Sequence, residues 1–146
     1  SGNIITDAVF NQYKELCDKD NIGFEISGKL PENFNMAETD LCVLLSNLIS
    51  NAYEAALKCE EDRRKISVEI RNSDEDIFID VSNSVNGEVV FKNGLPVTDK
   101  QDRKNHGFGV ENILEVVERN GGYIEWKQLD KGGFTAEIIL NAQGNF

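Results

Sequence analysis

The stretch KISVEIRNSDEDIFIDVSN, residues 65 to 83, limits the fold more than any other part of the chain. Two runs of apolar–polar alternation flank the acidic turn SDED. Period-two side chains fall on opposite faces of a strand, so this is a β-hairpin with one apolar and one wet face. YIEWKQL and FTAEIIL, joined by DKGG, read as a second hairpin, with the glycines of the turn supplying the positive φ that a tight connection needs.

Helices supply the cover for the apolar faces. Residues 6 to 19 place Val9, Phe10, Tyr13, Leu16 and Cys17 at helical spacing, with Thr6 or Asp7 as N-cap. IGFEISGKL alternates Ile22, Phe24 and Ile26 as a strand that Pro31 ends. A helix over roughly residues 40 to 59 is capped by Asp40, and HGFGVENILEVVERNGG leads from a glycine-rich turn into a helix that stops with Gly121 at C′. Between them, residues 84 to 105 carry Gly87, Gly94 and Pro96, an apolar stretch only at Val89 to Phe91, and the cations Lys100, Arg103 and Lys104, which reads as a long loop. The order α, β, α, ββ, loop, α, ββ argues against a doubly wound parallel sheet. It predicts an α/β, two-layer α/β sandwich: a mixed, mostly antiparallel sheet with about three helices on one face.

Composition narrows the partners. A formal charge of -11 repels a phosphate backbone over most of the surface, which excludes nucleic acid and an anionic membrane as general partners. No run of 18 apolar residues suggests insertion in a membrane. Cys17, Cys42 and Cys59 are odd in number and lack Cys-x-x-Cys spacing, pointing to a reducing, cytoplasmic setting without a disulfide framework or zinc site. Ser1-Gly2 reads equally as a cloning remnant, so a single domain is expected over residues 3 to 146.

The second helix carries an unusual stripe. Leu41, Leu44, Leu45, Leu48, Ile49, Ala52, Ala55 and Ala56 cover one apolar arc, while Asn47, Asn51, Glu54 and Lys58 fall on a separate stripe at its border. Solvated polar residues at a helix edge are ordinary. Each asparagine, however, costs several tenths of a kcal/mol against alanine in a helix interior. Two amides and an acid on one stripe suit a hard cation: an amide oxygen, with Glu54 through water, could share an octahedral Mg²⁺ whose remaining ligands are phosphate oxygens.

NLISNAYEA, IDVSNS and HGFGVENI, in that order, resemble the N, G1 and G2 boxes of GHKL-type ATP-binding domains. More narrowly the chain is similar to the catalytic domain of sensor histidine kinases, and within these to the quorum-sensing peptide-receptor kinases, where asparagine replaces the G1 aspartate and the G2 box begins His-Gly. The resemblance spans nearly all of residues 4 to 140 and implies a Bergerat-type ATP-binding fold with residues 84 to 105 as the ATP lid.

Carried over by position, the resemblance makes Asn51 the Mg²⁺ ligand. It sets Asn47 where hydrolytic members of the superfamily place a glutamate base. A neutral amide orients but cannot take a proton, so Asn47 disfavours hydrolysis. Asn83 stands where the family binds the adenine edge with an aspartate, although Ser84 and Val85 replace the usual glycines. Lys104, His106, Gly107, Phe108, Gly109 and Val110 are the implied contacts to the rest of the nucleotide, with the following helix start offering free N–H groups to phosphate. His106, the only histidine, reads more readily as a lid anchor than as a catalytic group. Glu54 departs from the lysine that is frequent in the family.

The implied function is γ-phosphoryl transfer from ATP, with Mg²⁺, to a histidine on a separate dimerisation domain of the same receptor, with a response regulator downstream. The receptor is expected to be membrane-anchored and this domain cytoplasmic. Two other readings stand beside it: a stand-alone anti-sigma-type serine kinase, and a non-catalytic nucleotide-binding interaction module.

Overall fold

A computed structural model describes residues 4–32, 34–97 and 109–142 of the chain. In chain order its elements are α1 (Ile4–Lys19), β1 (Gly23–Ser27), α2 (Glu38–Leu57), a 3₁₀ turn (Glu61–Arg63), β2 (Lys65–Asn72), β3 (Asp76–Ser84), β4 (Phe91–Lys92), β5 (Leu95–Pro96), α3 (Gly109–Arg119), β6 (Tyr123–Leu129) and β7 (Gly133–Asn141). The main sheet has the order β1-β2-β3-β7-β6, with β1 parallel to β2 and the other neighbours antiparallel. The three helices described cover one face, which is the expected two-layer α/β sandwich.

Pleating explains the division of the two faces. Ile66, Val68, Ile70, Ile77, Ile79, Val81, Ile138 and Leu140 point inward and are buried with Leu41, Leu44, Leu45, Leu48 and Ile49 of α2. On the wet face the register sets Glu69, Asp80, Glu137 and Glu125 in one row across four strands. Arg71 Nη2 lies 3.1 Å from Asp80 Oδ2 and Lys127 Nζ 2.7 Å from Glu137 Oε1, so cations interleave the row. Partial burial raises the Asp80 carboxyl above the usual range, and its hydrogen bond from Arg71 offsets part of that rise.

Helix ends are set differently from the sequence expectation. α1 already includes Thr6 and Asp7, and α2 starts at Glu38 behind Ala37, which makes no side-chain cap bond. Asp40 therefore lies inside the first turn of α2, where its carboxylate serves another partner. Two C-termini form complete Schellman closures. After α3, the Gly121 N–H donates to Glu118 O at 3.0 Å and Gly122 N–H to Val117 O at 2.8 Å, with Gly121 at φ 66°, as expected. After α1, Asn21 at φ 57° plays the same part, with Ile22 N–H donating to Cys17 O at 2.8 Å.

Two turns also differ. β1 ends at Ser27, ahead of Pro31, because Gly28 at φ 82° packs so closely on β2 that a Cβ there would collide with the Ile70 carbonyl. In the DKGG turn the positive φ angles fall on Lys131 (64°) and Gly132 (77°), while Gly133 already pairs in β7. Arg64 then closes the far end of α2, donating to the carbonyls of Leu57 at 3.1 Å, Cys59 at 3.0 Å and Asp20 at 2.8 Å. Among the described residues no helix is long and apolar enough to cross a membrane.

Candidate functional site

The asparagine stripe of α2, apart from Asn47, borders a cavity of about 320 Å³ between that helix, the inner face of the sheet and residues 85–97. Asn51 and Glu54 line it from α2, Lys58 from the C-cap of that helix, Asn83 from β3 and Val110 from α3, so five residues singled out in the sequence meet at one place. Ala55 belongs to this wall as well and is only half-buried, where the helical arc had placed it in the core. Ala52, Val81, Trp126, Phe134 and Ala136 make the floor apolar, which suits a flat heterocycle.

Asn83 sits at the inner end of this floor and is 8% exposed. Its Nδ2 donates to the Ser84 carbonyl at 3.0 Å, which leaves Oδ1 available as an acceptor. The backbone beyond it is less starved of glycine than Ser84 and Val85 suggest, because Gly87 takes φ 88° in open space and turns the chain along the cavity rim.

At the opposite end α3 begins against the stripe. A Cβ on Gly109 would lie 3.2 Å from Asn51 Oδ1 and 3.5 Å from Asn47 Oδ1, so both amide oxygens converge on the first residue of α3. Asn47 holds its orientation by donating Nδ2 to Val43 O, one turn back, at 2.7 Å. Two oxygens beside the N–H-rich start of a helix form a place where a cation and a phosphate can share ligands. The residues fit the group that the sequence implies.

The far end of α3 is fixed independently. Arg119 Nη2 donates to Asp40 Oδ1 at 2.7 Å and Asn120 Nδ2 to Asp40 Oδ2 at 3.0 Å. The hydrogen bond from Arg119 and then that from Asn120 hold the Asp40 carboxyl below the usual carboxylate range. Clamped at its end and packed on asparagine at its start, α3 has a defined position along α2.

Lys104, His106, Gly107 and Phe108, with Lys100 and Arg103, lie outside the described residues. The described part of the long loop is more ordered than expected. β4 and β5 pair as a small hairpin across Asn93 (φ 55°) and Gly94 (φ 77°). Asn-Gly is the strongest short-range hairpin signal a sequence offers, and it accounts for this turn. Phe91 of this hairpin stacks on Phe134 with centroids 6.1 Å apart. Glu88 and Phe134 were not singled out either, since each looks like an ordinary loop or strand residue until the chain brings it to the cavity.

Compared with known proteins, residues 36–141 match the family model described as the GHKL domain. The chain belongs to the GHKL family. This GHKL domain is 27% identical to the sensor histidine kinase DpiB of Escherichia coli (strain K12) over 70% of the chain and 19% of that protein. It is 30% identical to the sensor protein CitS of Bacillus subtilis (strain 168) over 80% of the chain and 21% of that protein. The chain thus spans about a fifth of the length of the curated relatives it matches.

The nucleotide-free catalytic domain of the histidine kinase ThkA superposes with a TM-score of 0.72 at 20% identity, covering 94% of this chain and 91% of that one. The mycobacterial sensor histidine kinase MprB gives 0.67 at 14% identity, covering 95% and 97%. These two likenesses show a shared fold. The GHKL domain is an ATP-binding domain homologous to sensor histidine kinase catalytic domains, and Asn51, Asn83 and Val110, from the three sequence boxes in turn, line its cavity.

Proposed function

We propose that this domain binds Mg-ATP in the α2–sheet cavity and transfers the γ-phosphoryl group to a histidine on a separate dimerisation domain of its receptor. The observation that carries the reading is the convergence of the Asn47 and Asn51 amide oxygens on Gly109. In this reading Asn83 Oδ1 accepts the exocyclic amine of adenine, Asn51 ligates Mg²⁺, and Glu54 reaches the ion through water. Gly109 and Val110 offer N–H groups to phosphate, with Lys104, His106, Gly107 and Phe108 as further contacts to the nucleotide. Bound Mg²⁺ would neutralise charge on the phosphoryl oxygens.

Asn47 orients groups at the phosphate end. Lacking a carboxylate's basicity, it does not activate water, which keeps the γ-phosphoryl for transfer. The transfer forms a bond between an imidazole nitrogen and phosphorus and releases ADP. Positioning and electrostatics dominate such chemistry, so turnover waits on the docked acceptor.

The domain is read as a single unit over residues 3–146 with a lid over 84–105, on the cytoplasmic side of a membrane-anchored receptor that signals to a response regulator. Asn83 and the His106-Gly107 pair favour the quorum-sensing peptide-receptor group. The similarity to the sensor histidine kinase DpiB and the sensor protein CitS disfavours a serine kinase or a non-catalytic module.

Mixing the domain with its histidine-bearing fragment and γ-labelled ATP should place acid-labile label on that fragment. Label on serine would transfer the case to the serine kinase. Bound ATP with no label on either would leave a nucleotide-binding module.

A further inference from the structure

The loop that follows Asn83 is held by a side chain from the other hairpin. Gln128, on β6, accepts the Val89 N–H through Oε1 at 2.8 Å and donates Nε2 to the Gly87 carbonyl at 3.0 Å. The two bonds bracket Glu88 in the way that a residue of a parallel strand bonds to the residues flanking its neighbour, so one side-chain amide does the work of an absent strand. Glu88 and Val89 form part of the cavity wall, whereas Gln128 lies behind that wall in a separate depression.

Register ties this clamp to the base site. Asn83 pairs with Phe134 and Phe134 with Gln128, which sets all three in one inward row across β3, β7 and β6. The same loop is tied once more where Val85 N–H donates to Gly132 O at 2.9 Å. Gly87, between these ties, has an open left-handed conformation and would otherwise leave the chain free to swing away.

We propose that Gln128 is a positioning residue of the nucleotide site: its amide preforms the wall formed by Glu88 and Val89, so that nucleotide need not order the loop on binding. The inference rests on the ATP-binding reading. Ordering a backbone segment costs free energy that a preformed wall avoids, and the wall stands at the apolar, base-binding part of the cavity. Gln128 therefore acts on ATP and ADP alike and independently of metal.

Gln128→Ala and the similarly long Gln128→Met both delete the two hydrogen bonds. In calorimetric titrations each variant should bind ADP and ATP about tenfold more weakly than the natural protein, by the same factor with and without Mg²⁺. Amide exchange at Val89 should quicken, while the melting transition without nucleotide stays in place. Natural-like affinity in both variants, a loss confined to Mg-ATP, or unchanged Val89 exchange would overturn the proposal. A natural protein that binds no adenine nucleotide would count against the ATP reading instead, and the exchange result alone would then decide whether the clamp exists.

Discussion

Gly109 and Asn51 are so close that a methyl group on the glycine would lie 3.2 Å from the asparagine Oδ1. This contact joins the start of α3 to the amide stripe of α2. If the domain binds Mg-ATP as proposed, the spacing of two helices, and not only the identity of two side chains, is a condition for holding the metal-bound phosphate.

Gly109→Ala tests that spacing. Gly109 has no positive φ, and the helix preference of alanine over glycine, about 1 kcal/mol in a helix interior, is smaller at the first residue of a helix, so the apo domain should melt at about the same temperature. The amide oxygen must move by a few tenths of an ångström, and Mg-ATP affinity should fall about five- to tenfold. Calorimetry and thermal melting on one sample separate the two effects. Unchanged affinity would show that the contact is incidental.

Asn83 gives a prediction about the base. Asn83 lines the cavity, and with Nδ2 bonded to the Ser84 carbonyl its Oδ1 can accept, which suits the amine of adenine and opposes the carbonyl of guanine. The natural protein should prefer ATP to GTP, and Asn83→Ala should lose about 10- to 100-fold in ATP affinity while GTP changes little. Competition between the two nucleotides for the site gives the ratio directly.

Much of this arrangement is legible in the chain, because helical and strand periodicity are local. The stripe of Asn47, Asn51, Glu54 and Lys58 follows from 100° per residue, and the inward rows of β2 and β3 follow from strict alternation. The Gly121 terminator is equally local. What stays hidden depends on neighbours distant in sequence. Asp40 resembles an N-cap until α3 brings Arg119 and Asn120 to it, and Gln128 resembles an edge-strand surface residue until residues 87–89 fold against it. Asn21 and the Asn93-Gly94 turn are different, since asparagine and glycine at left-handed positions are signals local to the sequence.

The Asp40–Arg119 clamp predicts a pH dependence. Asp40 titrates below its unfolded value of about 3.9, so its contribution to stability is fully present above that pH and is lost as pH falls through the folded value. Arg119 is largely exposed and the pair is screened by solvent. Asp40→Ala should therefore lower the melting temperature by only about 2–4 °C at pH 7. The gap to the natural protein should narrow below about pH 4. A gap that widens in acid would contradict the assigned direction.

Arg119 also bears on function through α3. Releasing its end leaves Gly109 and Val110 less well placed, so Arg119→Ala should weaken Mg-ATP binding about two- to threefold even though it touches no ligand. Charge reversal of both partners, Asp40→Arg with Arg119→Asp, should recover part of the loss.

The most direct test is titration of the natural protein and Asn51→Ala with ATP, with and without Mg²⁺. The account predicts saturable, Mg²⁺-dependent binding that Asn51→Ala reduces by at least about tenfold, with the nucleotide-free melting transition unchanged. Equal Mg-ATP affinity in the two proteins would contradict the placement of the metal at Asn51 and with it the central claim.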